Sequence, residues 1–321
     1  MAKKIGIIGA GISGAVLAND LNNAGFEVFV FEKARGPGGR TSTRKFTDGQ
    51  KNYFIDHGAQ FIDVINPEFA NFIYLAQTKK IIEKFNLLGL DNVYVPVPNM
   101  NSLCKFLFEP VENIKYQTEV SNIVFENGMV RAFGPQGENL GEFDFLVSTA
   151  PPLQTQKIFL GFEKFSILET IKMNPIFAVM LISKLDFDFG FCEKFIQDPK
   201  IINWIGINNF KPQRDKTLSI IIHCDPGWTS SNLDIDRKLL AQMVCDELKS
   251  MTGFYDYDPI YLDVHRWLYG RCVNPFGHDF IIDYKNKISA CGDWMLGNNI
   301  ESAYLSASRL AEEIKKTVAV L

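Results

Sequence analysis

The stretch Lys4-Ile5-Gly6-Ile7-Ile8-Gly9-Ala10-Gly11-Ile12-Ser13-Gly14-Ala15-Val16-Leu17 decides the fold. Its first five residues are apolar and rich in isoleucine, as a strand covered on both faces should be. The run breaks into Gly9-x-Gly11-x-x-Gly14, after which Ala15, Val16, Leu17, Leu21 and Ala24 recur at helical intervals up to Gly25. Val28-Phe29-Val30-Phe31 reads as a second strand closing on Glu32. Such a β-α-β unit implies a parallel sheet with a right-handed crossover. The glycines predict a phosphate cradle: Gly9 for the tight turn, Gly11 for close approach of a pyrophosphate, Gly14 for helix–strand packing. The first helical turn adds unpaired N–H groups and about half a positive charge. Glu32 stands where an acid accepts hydrogen bonds from an adenosine ribose, which favours FAD or NAD over NADP.

Working outward, the 321 residues, 46% hydrophobic, suit one large or two intergrown domains. A net charge of −4 gives no general attraction to a nucleic-acid polymer. The four histidines (57, 223, 265, 278) are scattered, with no pair at the i,i+4 spacing of a helical zinc site. The six cysteines never form CxxC and are too few for a disulfide framework, so no metal is expected and a reducing compartment is. Lys3-Lys4 before the apolar run Ile5–Ala18 imitates a secretory signal, but four glycines interrupt that run. No apolar stretch is long enough to span a membrane, and a cytoplasmic protein is expected. With so few catalytic side chains, a bound cofactor is expected to carry the chemistry.

Two further signals separate FAD from NAD. Lys33-Ala34-Arg35-Gly36-Pro37-Gly38-Gly39-Arg40 is a second glycine-rich loop, which a simple NAD dehydrogenase does not need. In an extended dinucleotide, Gly38-Gly39 would admit the pyrophosphate and ribityl chain, and Arg40 would add charge-assisted bonds. Near the other end, Gly292-Asp293 follow a strand, and Asn298-Asn299-Ile300-Glu301-Ser302-Ala303 open a helix running from about Ser302 to Val318. An acid there can hold ribityl hydroxyls, and a second helix N-terminus can face the flavin edge that turns negative on reduction.

Elsewhere the pattern predicts a helix over 66–86 and, over 91–99, an edge strand broken by prolines. It predicts a hairpin turning at Asn127-Gly128 and a strand over 143–150. Strands at Ala178–Ile182 and Leu218–His223 and a helix from Asp234 to Met251 complete it. Trp267 and Tyr269, two apart in an extended stretch, are pocket candidates, with core packing the other reading. His265 and Arg266 read as a solvated face.

Gly9–Gly14, Glu32, Arg35–Arg40, Asp56-His57-Gly58-Ala59-Gln60-Phe61 and Gly292-Asp293 together resemble the FAD-dependent amine oxidase superfamily. Asp225-Pro226-Gly227-Trp228-Thr229 and the 265–271 segment are similar to its bacterial renalase branch. The resemblance implies a Rossmann-like, GR2-type α/β FAD-binding domain (1–62, 99–165 and 275–321) with an interwoven α+β substrate domain (63–98 and 166–274). It places at the FAD Gly9, Gly11, Ile12, Ser13, Gly14, Glu32, Lys33, Gly39 and Arg40. From the middle of the chain it adds His57, Gly58, Ala59, Gln60, Phe61 and Val120, and from the end Gly292, Asp293, Asn299, Ile300 and Glu301. Asn298-Asn299 departs from the small or basic residues common in related chains. The activity implied is oxidation of dihydronicotinamide isomers of NAD(P)H, with hydride passing to flavin and electrons to O2. Loss of hydride requires no base, in keeping with the scarce histidines. An amine (CH–NH) oxidase and a non-catalytic FAD-binding scaffold or sensor are the alternatives.

Overall fold

The computed structural model describes residues 2–87, 91–254 and 258–317. Lys4–Ile8 forms the centre of a six-stranded sheet in the order 281–283, 288–290, 145–148, 4–8, 27–32, 113–116. Its neighbours Phe145–Ser148 and Glu27–Glu32 run parallel to it, and only Ile281–Asp283 is antiparallel to its neighbour. Ile5, Ile7, Val28, Val30, Phe145 and Val147 are almost wholly buried, the burial a sheet covered on both faces demands. The first helix, Ile12–Asn23, and the last described helix, Ile300–Thr317, pack against one another on this sheet.

Gly9 has φ +104° and donates its N–H to the Phe31 carbonyl, so the turn after the first strand is tied to the second. A Cβ at Gly14 would lie 2.0 Å from the Gly9 carbonyl oxygen, which fixes this glycine's role as close packing of helix on turn. The antiparallel strands 122–126, 129–133 and 139–143 form a separate sheet, its first turn at Asn127-Gly128 with positive φ at both residues.

A five-stranded antiparallel sheet in the order 193–195, 202–207, 219–224, 173–183, 259–272 builds the other half. The helix Arg237–Thr252, capped by Asp236 and ended by left-handed Gly253, packs against it. The hairpin Thr43–Asp48/Lys51–Asp56 lies between the halves: Ile55 packs with Ala178, Met180 and Ile221 of the large sheet.

Three expectations change. The helix after residue 66 is Pro67–Thr78; Lys80 takes φ +58°, and the chain re-enters as the strand Ile82–Lys84. Val93–Pro96 is the middle strand of a three-stranded sheet, between Ile62–Asp63 and Ile82–Lys84. Pro96 stands at its last position and Pro98 beyond it, so the prolines end the strand and leave its centre free to pair. The stretch 143–150 is split: Phe143 ends the strand Asn139–Phe143, and Phe145–Ser148 belongs to the parallel sheet. Val64, Phe69, Ile73, Ile82, Val93 and Val95 share a core with Ile5, Ile7 and the first helix. The expected helix end at Val318 lies outside the described residues. Among the described residues no helix is long and apolar enough to cross a membrane.

Candidate active site

A continuous cleft of about 1490 Å³ runs from Glu32 and Val120, past the two glycine loops and the start of the last helix, to the 259–272 strand. This exceeds the roughly 300–1,000 Å³ of ordinary small-ligand pockets and suits an extended dinucleotide.

At the first end the Glu32 carboxylate accepts from the Ala10 N–H (2.8 Å) and the Ala34 N–H (2.7 Å), joining the two glycine loops. Gly11 and Gly39 stand back to back: a Cβ on Gly39 would lie 3.2 Å from the Gly11 Cα. The first turn of the Ile12–Asn23 helix has no capping side chain, which leaves its N–H groups open. Ser13 Oγ donates to the Ala303 carbonyl and so links the two helix starts that border the cleft. These are the features an anionic pyrophosphate requires, and the residues present fit it.

In the middle, Arg40 and Asp293 form a two-bonded ion pair, Nη1 to Oδ2 at 2.8 Å and Nη2 to Oδ1 at 2.5 Å. They were expected at the cofactor separately; the structure joins them across 253 residues. The loop 57–60 crosses Arg40, with the Ala59 N–H on the Arg40 carbonyl; a Cβ at Gly58 would sit 1.9 Å from that oxygen. Asn299 Oδ1 accepts from the Ser302 N–H and caps the last helix, whose first residue, Ile300, reaches the cleft.

The far end is aromatic and basic. Trp267 stacks on His57 (5.3 Å, 22°), and its Nε1–H donates to the His57 carbonyl at 2.9 Å. His265 packs edge-on against both rings. His223 also lines the cleft, so three of the four histidines converge there. Burial pushes the His57 pKa down to about 3, with help from His265 and Arg44. Burial likewise holds His223 and His265 down to about 4, so all three rings are neutral at pH 7. Tyr269 lies in the cleft wall where the 259–272 strand bulges: Ile176 pairs with Trp267 and Asn174 with Arg271. His265 is thus no part of a solvated face; only Arg266 is, reaching the Leu233 carbonyl. Alternation along the strand, which put Trp267 and Tyr269 together, carried the signal for His265 as well. Nothing local in the sequence pointed to Arg44 or His223.

Beneath the 57–60 loop Asp56 is fully buried, where Arg214, Lys211 and the Thr43 hydroxyl converge on it. Burial alone would raise its pKa, but the two cations and the hydrogen bonds hold it well below the usual carboxylate range. Burial lowers Lys211 to about 8 against the pull of Asp56.

Eighteen of the sequence-nominated residues line the cleft: Gly9, Gly11, Ile12, Ser13, Glu32 and Lys33; Gly39, Arg40, His57, Gly58, Ala59 and Val120; Trp267, Tyr269, Gly292, Asp293, Asn299 and Ile300. Four do not. Gly14 is taken up by packing on Gly9. Gln60 turns inward, donating to the Asp56 and Gly58 carbonyls and accepting from Lys211. Phe61 packs on the first core, and Glu301 accepts the Ile65 and Asn66 N–H groups ahead of the Pro67–Thr78 helix.

Residues 68–315 match the model of the flavin containing amine oxidoreductases, and residues 7–73 match an NAD(P)-binding Rossmann-like domain. Among characterised relatives, a flavin-dependent L-tryptophan oxidase of Lentzea aerocolonigenes is 36% identical over 93 residues, 29% of this chain and 20% of that protein. A hydroxysqualene dehydroxylase of Sinorhizobium fredii is 45% identical over 62 residues, 19% of this chain and 14% of its own length. The chain therefore spans a fifth or less of the curated relatives it matches. In fold it is similar to the cyclohexylamine oxidase of Brevibacterium oxydans, with a TM-score of 0.76 over 99% of this chain and 100% of that one at 14% identity.

Proposed function

Because the chain belongs to the family of flavin-containing amine oxidoreductases, and is an FAD-dependent oxidoreductase, we propose that it is a renalase-like oxidase of dihydronicotinamide isomers of NAD(P)H. When bound, FAD supplies the two-electron acceptor: the substrate loses hydride and becomes an aromatic pyridinium, one proton is taken up, and O2 leaves as hydrogen peroxide. Glu32 and Val120 would hold the adenosine end, Gly11–Ser13 and Gly39 the pyrophosphate, and Asp293, paired with Arg40, the ribityl hydroxyls. Gly58, Ala59, Asn299 and Ile300 would border the flavin ring. The cofactor domain is drawn from 1–62, 99–165 and 275–321, and the substrate domain from 63–98 and 166–274.

The observation that carries the substrate reading is the far wall of the cleft. His57 and Trp267 present stacked flat rings suited to a nicotinamide, beside Arg44. Among the described residues no carboxylate lines that end, so an alkylammonium would find no counter-charge there. None of the three histidines is needed as a base, since hydride departs without prior removal of a proton from carbon.

Anaerobic addition of the 2- or 6-dihydro isomers of NAD(P) should bleach the yellow protein within seconds, and admitting air should restore the colour with hydrogen peroxide. Bleaching by simple amines alone would replace this reading by an amine oxidase. A flavin that nothing reduces would leave a scaffold or sensor.

A further inference from the structure

Arg44 lines the far end of the cleft, and the cofactor does not account for its chemistry. It projects from the Thr43–Asp48 strand toward the far wall, and its charge lowers the proton affinity of both His57 and His265. Its Nε is buried and has no hydrogen-bond partner. The two acids nearest this region are engaged elsewhere. Asp56 is held by Lys211, Arg214, Thr43 and the Met100 N–H. Asp263 accepts from the Tyr261 hydroxyl at 3.0 Å and the Val264 N–H at 2.8 Å. His57 Nδ1 and His223 Nε2 are likewise buried without partners. A buried donor left unpaired is costly, and a cluster of such groups is stabilised by whatever ligand completes them.

We propose that Arg44, with the imidazoles of His57, His223 and His265, forms a subsite for an oxyanion of the substrate, a phosphate or a carboxylate. Planar guanidinium donors match such oxygens, and neutral imidazoles can turn an N–H toward them without adding charge. A cation is repelled by Arg44, and an uncharged group leaves the guanidinium unpaired. The subsite lies at the substrate end assigned above and rests on that assignment, but it does not depend on the substrate's being a dihydronicotinamide.

The test uses the FAD-loaded protein and reads ligand binding from the perturbed flavin absorbance, without turnover. The probes are nicotinamide mononucleotide, nicotinamide riboside, inorganic phosphate and benzoate. The mononucleotide should bind about 10- to 100-fold more tightly than the riboside. Arg44→Gln should erase that advantage while leaving riboside affinity and FAD retention unchanged, and Arg44→Lys should restore part of it. Competition by phosphate alone identifies a phosphate subsite; competition by benzoate alone identifies a carboxylate subsite, and the mononucleotide advantage is then absent. Equal affinities for mononucleotide and riboside with no competition by either anion would overturn the proposal, as would an anion preference that survives Arg44→Gln. If dihydronicotinamides fail to reduce the flavin while anions bind through Arg44, the proposed activity falls and the subsite stands. If reduction proceeds, with riboside as good as nucleotide and no anion competing, the subsite falls alone.

Discussion

Glu32 holds two backbone N–H groups from two different glycine loops, so its carboxylate shapes the cofactor cradle as well as bordering it. Each oxygen keeps a lone pair for a ribose hydroxyl. Glu32→Ala is expected to weaken FAD binding about 10- to 100-fold while the protein stays soluble, measured by titrating apoprotein with FAD. Unchanged affinity would remove Glu32 from the ribose. Gly58 is constrained differently, by space. A Cβ there would lie 1.9 Å from the Arg40 carbonyl, backbone that has nowhere to go, because the Ala59 N–H is bonded to the same oxygen. Gly58→Ala should therefore lower stability by about 1–3 kcal/mol, read as a fall in Tm of the FAD-loaded protein. The same variant should shift the flavin spectrum if the loop borders the ring.

Among the elements, the hairpin Thr43–Asp48/Lys51–Asp56 lies between the halves of the molecule, with Ile55 packed on the large sheet. It delivers Arg44 to the cleft and Asp56 to a buried ion cluster whose cations, Lys211 and Arg214, come from the loop before the 219–224 strand. Removing one partner of a buried cluster strands the others. Asp56→Asn should cost about 3–5 kcal/mol in denaturant unfolding. Adding Lys211→Met to that variant should recover part of the loss, because one stranded charge is then gone; strict additivity would argue against a coupled cluster. These elements also show where the sequence was legible. The first β-α-β unit could be read residue by residue because Gly9, Gly11, Gly14 and Glu32 act within one local turn and its neighbouring strand. The 57–60 loop and the start of the last helix could be read only in part, since Gln60 in the one and Glu301 in the other turn toward partners distant in sequence, Lys211 and the 65–66 backbone. Of the histidine cluster only His265 was legible from spacing, by alternation along its strand. His57 comes from a loop, and His223 and His265 from two strands of one sheet that flank the 173–183 strand and both pair with its Ala178, so it is the order and register of that sheet that bring them together.

On the scale of the whole molecule, a net charge of −4 coexists with a cleft whose far end carries cations and neutral imidazoles. Net charge gave no reason to expect a nucleic-acid polymer, yet it was blind to this local sign, which a single nucleotide or organic acid would meet. The same arrangement dictates how stability should respond to acid. An unfolded histidine takes up its proton near pH 6.5, whereas folded His57 does so only near 3 and His223 and His265 near 4. Between those limits the unfolded chain binds more protons, so stability is full above about pH 6.5 and falls as pH drops toward 4. His57 and His223, the more deeply buried rings, each contribute at most about 1.4 kcal/mol per pH unit in that window, and His265 contributes less through solvent screening. Asp56 acts in the same sense at lower pH: its folded pKa is depressed, so the stability it confers is lost as pH falls below the ordinary carboxylate value of 3.8. Lys211 works at the other end, since its folded value near 8 lies below 10.5 and stability should rise with pH across that interval. Guanidinium midpoints of the FAD-loaded protein at pH 7, 5.5 and 4.5 should fall in that order, and His57→Gln should flatten the profile. A midpoint that holds steady from pH 7 to 4.5 would mean that the rings protonate freely in the folded state, and that the far wall of the cleft is open to water.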